Sequence, residues 1–541
     1  MRILLAAAYS IIEPLGLIYL AGLAKKLGHQ TRIVLVRDFD FRPLFERVEE
    51  FRPDLVGFNV YSGAHKPVYE AMKRLNAMGI TTAMGGPHAT YFAEDAAQYA
   101  RHVVRGEGFT GFRHILGGTA STGVFFDEKL LREGFPCPDR ATFYDEYPRH
   151  RDNPIKNSIT ALGCPWGCTY CYNVQFLQLY GGFKLVARPV EAVIAELEEI
   201  RRRWPTRLIF FQDDVFGFNI PWLEEFVRQY RDRVRIPWHA QIRLELTRDP
   251  RRLKLFKEGG CCGLTTAIES ADPWVRKHIL DRDGMTNDEI VEGCAKIKAA
   301  GLRLRTEQIM ALPTSDLDLN LATLRLNVAI RPDMAWSSIF APYRGTTLGE
   351  LAVRWGYYGG NNDDLSETFF DRSVLTFYWN DRYQTDPTKP NPARRPFSHE
   401  ENERYRDQTV VLQALFNFFG HVPRGDELAE RYLRTGDFSF AALGRMTIEH
   451  LAALGETVER TTRKAALRAA LGELSAHRAE TFEALWPYFA QLPRGEKLAK
   501  RFFAQDDLTL RTLSTTTRHH LYDQVVYNSD LLPEPMLAPV D

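Results

Sequence analysis

Twice along this chain, short apolar runs alternate with amphipathic helical patterns, and this constrains the fold more than any other feature. In the first series, Arg2–Ala8 and segments 31–36, 54–60, 81–84 and 102–105 read as strands. Helical patterns over 15–27, 43–51, 66–78 and 91–99 separate them, the first stopping at Gly28. Glycine ends helices readily because it adopts left-handed backbone conformations. Five strands with intervening helices predict an α/β domain built on an open, doubly wound parallel sheet, Rossmann-like in outline. Such sheets bind ligands beyond the carboxyl ends of their strands. Four loops there carry glycine: 9–16, 61–65, 85–90 and 106–108.

The second series runs from about 157 to 346. Strands are expected at 158–161, 208–212, 238–242, 263–268, 302–309 and 334–341, with long helical patterns between them. Six such units predict a partial (β/α)6 barrel, which also works at its strand carboxyl ends. Segment 398–541 is mainly helical, and no repeat or low-complexity tract stands out in it. The expected organisation is an N-terminal sheet domain (1–115), a linker (116–155), a barrel (156–350), a loop-rich connection (351–397) and a helical C-terminal domain (398–541). Phe135-Pro136-Cys137-Pro138-Asp139-Arg140 reads as extended linker, since proline pushes its predecessor out of helix.

Composition narrows the function. Lys+Arg and Asp+Glu both number 69, which argues against binding nucleic acid by bulk charge. Apolar residues at 45% and charged residues at 26% exclude a disordered chain. No apolar run approaches the ~20 residues of a membrane span. The amino terminus reads as a first strand, so a cytoplasmic protein is expected. In that reducing setting the seven cysteines are free thiols or ligands.

Three of those cysteines lie together in Gly163-Cys164-Pro165-Trp166-Gly167-Cys168-Thr169-Tyr170-Cys171. Clustered thiolates suit a soft metal. A [4Fe–4S] cluster normally takes four cysteines, so three leave one iron open to a non-protein ligand. Structural zinc is the rival, but it wants a fourth Cys or His nearby, and His239 and Cys261 are far off in sequence.

The Cys-x3-Cys-x2-Cys spacing, with Tyr170 before the last cysteine, resembles the radical S-adenosylmethionine (SAM) family. The resemblance implies that Cys164, Cys168 and Cys171 hold three irons of a [4Fe–4S] cluster and that SAM chelates the fourth. Reduction would then release a 5′-deoxyadenosyl radical. It also implies SAM contacts from Tyr170, from Gln212 and Asp213 after the second barrel strand, and from Arg243 after the third. Ala267-Ile268-Glu269-Ser270 resembles the Gly-x-Glu-Ser element, giving Glu269 and Ser270. Gln308 precedes Ile309-Met310-Ala311-Leu312-Pro313, which is similar to a fifth-strand Gly-Leu-Pro element. Pro342-Tyr343-Arg344-Gly345-Thr346 resembles the family's Pro-Gly-Thr turn.

The amino-terminal domain and the Phe-Pro-x-Pro-Asp-Arg linker resemble the cobalamin-binding class of that family. The cobalamin contacts implied are Leu15, Tyr61, Ser62, Gly63, Gly85, Gly86, Pro87, His88, Gly106 and Glu107. Loop 9–16 has no histidine, so the resemblance implies no histidine ligand to cobalt from there; His88 reads better as a packing or hydrogen-bonding residue. The function implied is cobalamin-dependent methylation of an unactivated carbon in a small, specialised-metabolite substrate. An external donor such as flavodoxin or ferredoxin would supply the electron. The alternatives are an oxidative cyclase or ring-rearranging enzyme with the same cofactors, and a non-catalytic iron–sulfur or zinc protein.

Overall fold

The computed structural model describes residues 1–10, 12–120, 122–182, 184–366, 368–382, 389–456 and 460–525. The expected helical stretch beyond 525 lies outside the described residues. The amino-terminal sheet contains β1 (Arg2–Ala8), β2 (Gln30–Val36), β3 (Leu55–Asn59), β4 (Thr81–Gly85), β5 (His102–Val104) and β6 (Gly123–Phe125). All pairs are parallel and the order is β2-β1-β3-β4-β5-β6. Five of these strands match the sequence reading. The sixth, β6, falls in the segment read as linker.

Alternation along β1 explains its unbroken apolar run. Ile3 and Leu5 pack under helices Leu15–Lys26 and Gly108–Leu116, while Leu4 and Ala6 pack under Arg42–Phe51 and His65–Ala77. A parallel sheet covered on both faces has no polar side to show.

The barrel sheet is also parallel, in the order β14-β13-β12-β11-β10-β7. Its strands are β7 (Ile155–Ser158), β10 (Leu208–Phe211), β11 (Trp238–Ile242), β12 (Cys261–Glu269), β13 (Arg303–Met310) and β14 (Met334–Ile339). The first one ends three residues earlier than expected. Beyond it, β8 (Ala161–Gly163) leaves the sheet to pair antiparallel with β9 (Leu185–Ala187).

The two sheet domains are fastened by a buried chain of charges. Arg140 of the linker bridges Glu13, after β1, at 2.9 Å and Glu196, on barrel helix Val190–Arg203, at 2.7 Å. Arg188 meets the same Glu196 at 2.7 Å. These side chains are only 2–5% exposed, so each charge depends on its partner rather than on water. Backbone geometry helps, since Asp139 N donates to Ile18 O at 3.0 Å. The linker can approach that closely because a Cβ on Gly22 would collide with the Cys137 carbonyl.

The helical domain corrects the expectation of no repeat. Helices His399–His421, Gly425–Thr435 and Phe440–Ala453 recur as Ala476–Gln491, Gly495–Phe503 and Leu510–Val525. Both copies turn at Pro-Arg-Gly, 423–425 and 493–495, seventy residues apart. Arg424 and Arg494 are both left-handed, with φ of 50° and 52°. A Cβ on Gly425 or Gly495 would strike the carbonyl of Phe419 or Phe489. His450 Nε2 bonds Pro423 O at 2.8 Å, and His520 Nε2 bonds Pro493 O at 2.7 Å. Identity survives mainly at these turn and packing positions, which is why the period is faint in sequence.

This domain covers the edge strand β14. Asn417 accepts from Ala335 N at 2.8 Å, and Leu521 packs on Met334. Removing Arg140 takes the paired cation from buried Glu13 and leaves Glu196 with Arg188 alone. Arg140→Ala is expected to lower stability by about 3–5 kcal/mol, read as an earlier urea transition; Arg203→Ala, an exposed helix pair, is expected to change it by under about 1 kcal/mol.

Candidate functional site

The three cysteines follow directly on β8. Gly163 ends that strand at φ 96°, and a Cβ there would collide with Lys184 O, so β9 passes close only because the residue is glycine. Cys171 N donates to Cys168 O at 2.9 Å, which folds the loop back on itself before helix Tyr172–Gln178. All three thiols are free. Burial pushes Cys164 up to about 11 and Cys171 up to about 12, with Asp214 adding to the effect. Burial alone therefore keeps these groups as neutral thiols, and they become thiolates only where a bound cation compensates the charge. Among the described residues no three His, Cys, Asp or Glu side chains converge on a single ion-sized point. Three free thiols on one loop form a donor set that a cluster can take with each thiolate on a separate iron.

Beside the loop lies a dense polar knot. Tyr170 donates its hydroxyl to Glu269, and Arg282 Nη1 donates to the same hydroxyl at 3.2 Å. Arg282 Nη2 holds Ala267 O at 2.7 Å. Glu269 closes β12 in the left-handed region, φ 66°, and burial raises its carboxyl above the usual range. Arg243, at the end of β11, bonds Glu245 and reaches Cys168. Tyr170, Arg243 and Glu269 are therefore gathered at the cysteine loop.

The other residues expected at SAM divide. Gln212 borders the interdomain cavity and donates to Asn157 Oδ1 at 2.7 Å. Asp213 does not face open space. Its carboxylate accepts from Thr160 N at 3.0 and 3.1 Å and from Thr160 Oγ1 at 2.5 Å, fixing the turn after β7. Burial raises it to about 7. Its neighbour Asp214 borders the cavity instead. Ser270 holds a turn, accepting from Asp272 N at 3.2 Å. Gln308 points outward: Asn327, on helix Leu317–Ile330, donates to Oε1 at 3.0 Å and also bonds Thr306. One residue earlier, Glu307 lies on the opposite, inward face of β13, paired with Arg305 at 2.5 Å.

Between the two domains runs a cavity of about 440 Å³. Its floor is one face of the amino-terminal sheet, at Leu5, Gly57 and Ala83. Leu15, Gly85, Gly86, Gly106 and Glu107, five of the residues named from the sequence, line it. Its opposite wall carries Cys171, Asn173 and Asp214 from the cysteine side. The cavity therefore joins the strand ends of one domain to the metal loop of the other. Two of its glycines serve packing. A Cβ on Gly86 would meet Asn59, and one on Gly106 would meet the Tyr180 hydroxyl, which accepts from Glu107 N at 2.7 Å. Glu107 spends its carboxylate capping helix Gly108–Leu116, where it accepts from Phe109 N at 2.7 Å.

The remaining cobalamin expectations lie elsewhere. Tyr61 borders a separate small cleft with Phe39 and Val68. Ser62 bonds His88 Nδ1 at 2.9 Å, and Tyr69 occupies its Nε2 at 2.8 Å. Both ring nitrogens of His88 are thus engaged, and burial lowers it to about 3, so it is a neutral packing residue. Gly63 N donates to His65 at 3.2 Å, and Pro87 begins helix Pro87–Tyr91. None of Tyr61, Ser62, Gly63, Pro87 and His88 lines the large cavity. Sequence reasoning did not single out Asn173 and Asp214, which line the cavity, Arg282, which bonds Tyr170, or Glu307, which pairs with Arg305. Register could have found Asp214 and Glu307; Arg282, in an irregular loop, gave no signal.

Comparison with known proteins bears on both halves. Residues 1–116 match the B12 binding domain family, and residues 158–324 match the radical SAM superfamily. An uncharacterized methyltransferase of Pyrococcus horikoshii is 28% identical over 368 residues, covering 63% of this chain and 78% of the relative. The radical SAM methyltransferase TsrM from Kitasatospora setae, solved with cobalamin and a [4Fe–4S] cluster, superposes with a TM-score of 0.52 at 14% identity, over 66% of this chain and 78% of that one. The cobalamin-dependent SAM radical enzyme OxsB gives 0.53 at 13% identity, over 98% of this chain and 84% of that one.

Two outcomes are expected. Filling the cavity with Ala83→Phe lowers retained cobalamin at least about tenfold while iron content stays at the wild-type level, measured by metal analysis of reconstituted protein. Asp213 has a folded value near 7, above its unfolded one, so its contribution is fully present at low pH and is lost as pH rises through the folded value. Asp213→Asn should therefore gain stability relative to wild type between about pH 4 and 7, followed by thermal unfolding; a constant difference across that range would contradict this assignment.

Proposed function

The chain belongs to the cobalamin-binding radical SAM family, and from that premise we propose that it methylates an unactivated carbon of a small-molecule substrate. The observation that carries this reading is the cavity itself, in which the ends of β3, β4 and β5 face Cys171 and Asp214. A [4Fe–4S] cluster with SAM supplies a radical when bound, and cobalamin supplies the methyl carrier.

The protein's own part is placement. Cys164, Cys168 and Cys171 would hold the cluster at the barrel mouth. Glu269, Tyr170 and Arg282 form a preorganised polar wall beside it, which costs little reorganisation when a charged ligand arrives. The apolar floor at Leu5, Gly57 and Ala83 offers a surface on which a large flat ligand can lie. We read the setting as cytoplasmic and reducing, with flavodoxin or ferredoxin as electron donor. In the described residues no helix is long and apolar enough to cross a membrane.

The test is to reconstitute the protein anaerobically with iron, sulfide and cobalamin, then add SAM labelled at the methyl group and a strong reductant. The reading expects 5′-deoxyadenosine together with S-adenosylhomocysteine. 5′-Deoxyadenosine alone would favour cyclisation or rearrangement. Neither product, with no iron bound, would leave a non-catalytic protein.

A further inference from the structure

Two arginines from separate loops of the barrel converge on one sulfur. Arg243, after β11, places Nη1 3.0 Å from Cys168 Sγ. Arg282, in the loop after helix Pro273–His278, places its Nη1 3.6 Å from the same atom. Both side chains are 8% exposed, so water screens neither charge appreciably. Each is also held by a second anchor. Arg243 is gripped by Glu245 at 3.1 and 2.5 Å and lies over the Trp166 ring at 4.9 Å. Arg282 is fixed by Ala267 O and by the Tyr170 hydroxyl.

The other two thiols have a different environment. For Cys164 and Cys171 the nearby charge that counts is the Asp214 carboxylate, which adds to burial in pushing both thiols up. The loop is therefore polarised, cationic at Cys168 and acidic toward the interdomain cavity.

We propose that Arg243 and Arg282 are positioning residues that orient Cys168 and raise the reduction potential of the cluster it holds. The proposal rests on the cluster reading given above. Adding an electron makes a cluster more negative, and N–H donors or positive charge at its sulfurs favour that reduced form. The arrangement would ease electron entry without touching the substrate side. It also predicts a division of labour: two cations stabilise the reduced cluster, while Asp214 disfavours negative charge on the cavity side.

The experiment is an EPR-monitored redox titration of the full chain, reconstituted anaerobically and studied without SAM, after iron per chain has been measured. Arg282→Gln should reduce the ratio of reduced to oxidised cluster at the wild-type midpoint by about tenfold, equivalent to a shift of about 59 mV to more negative potential. Arg282→Lys keeps the charge and should recover most of that loss. Arg243→Lys should shift the midpoint the same way but less, and it supplies the measurement if Arg282→Gln loads no iron. Fully loaded variants with the wild-type midpoint would overturn the proposal, even if their SAM affinity fell, since that would make both arginines ligands of SAM alone. Wild-type protein that takes up no iron would instead sink the functional reading beneath it.

Discussion

The guanidinium of Arg140, buried between Glu13 and Glu196, decides where the two sheet domains sit. A cavity shared by two domains has a usable shape only if their separation is fixed. Arg140 touches all three parts: it starts a linker helix, pairs with a loop after β1 and donates to Asn157 O of β7 at 2.6 Å. Asn157 N in turn donates to Glu13 at 2.9 Å. Buried ion pairs offset their own desolvation only in part, so the value of this network is geometric more than energetic. Without it, the same two domains could pack at many angles, and the wall carrying Cys171 would not face β3 to β5.

Electrostatics then shape the site inside that frame. Burial raises Cys164, Cys171, Asp214 and Glu269 together, so this region disfavours bare negative charge. Iron bound there would relieve the thiols, while Arg282 and Tyr170 relieve Glu269. An apolar sheet face on the other side of the cavity completes a volume with one charged wall and one dry wall. That asymmetry suits a large cofactor with a polar rim set against a charged, SAM-sized ligand.

Much of this was legible in sequence, and the rest failed for identifiable reasons. Strand and helix periods gave both sheets, because parallel strands covered on two faces leave long apolar runs. The cysteine loop was visible because its spacing is local. Gln308 and Asp213 each turn away from the open side while a sequence neighbour does not, because in a strand or its extension one residue reverses the face. His88 was implied by a motif whose residues turn out to pack against Tyr69 and Ser62. The linker hid β6, and it hid Arg140 in a segment that looks merely extended. The duplication in the helical domain was concealed because its solvent faces have diverged while its Pro-Arg-Gly turns, Gly425 and Gly495 contacts and His450 and His520 bonds have not.

The most direct measurement is crystallographic: anomalous diffraction at the iron and cobalt edges from protein reconstituted with both cofactors. The account predicts iron at Cys164, Cys168 and Cys171, and cobalt in the cavity between Gly85 and Asn173. Cobalt bound outside that cavity, or iron bound away from the three thiols, would contradict it.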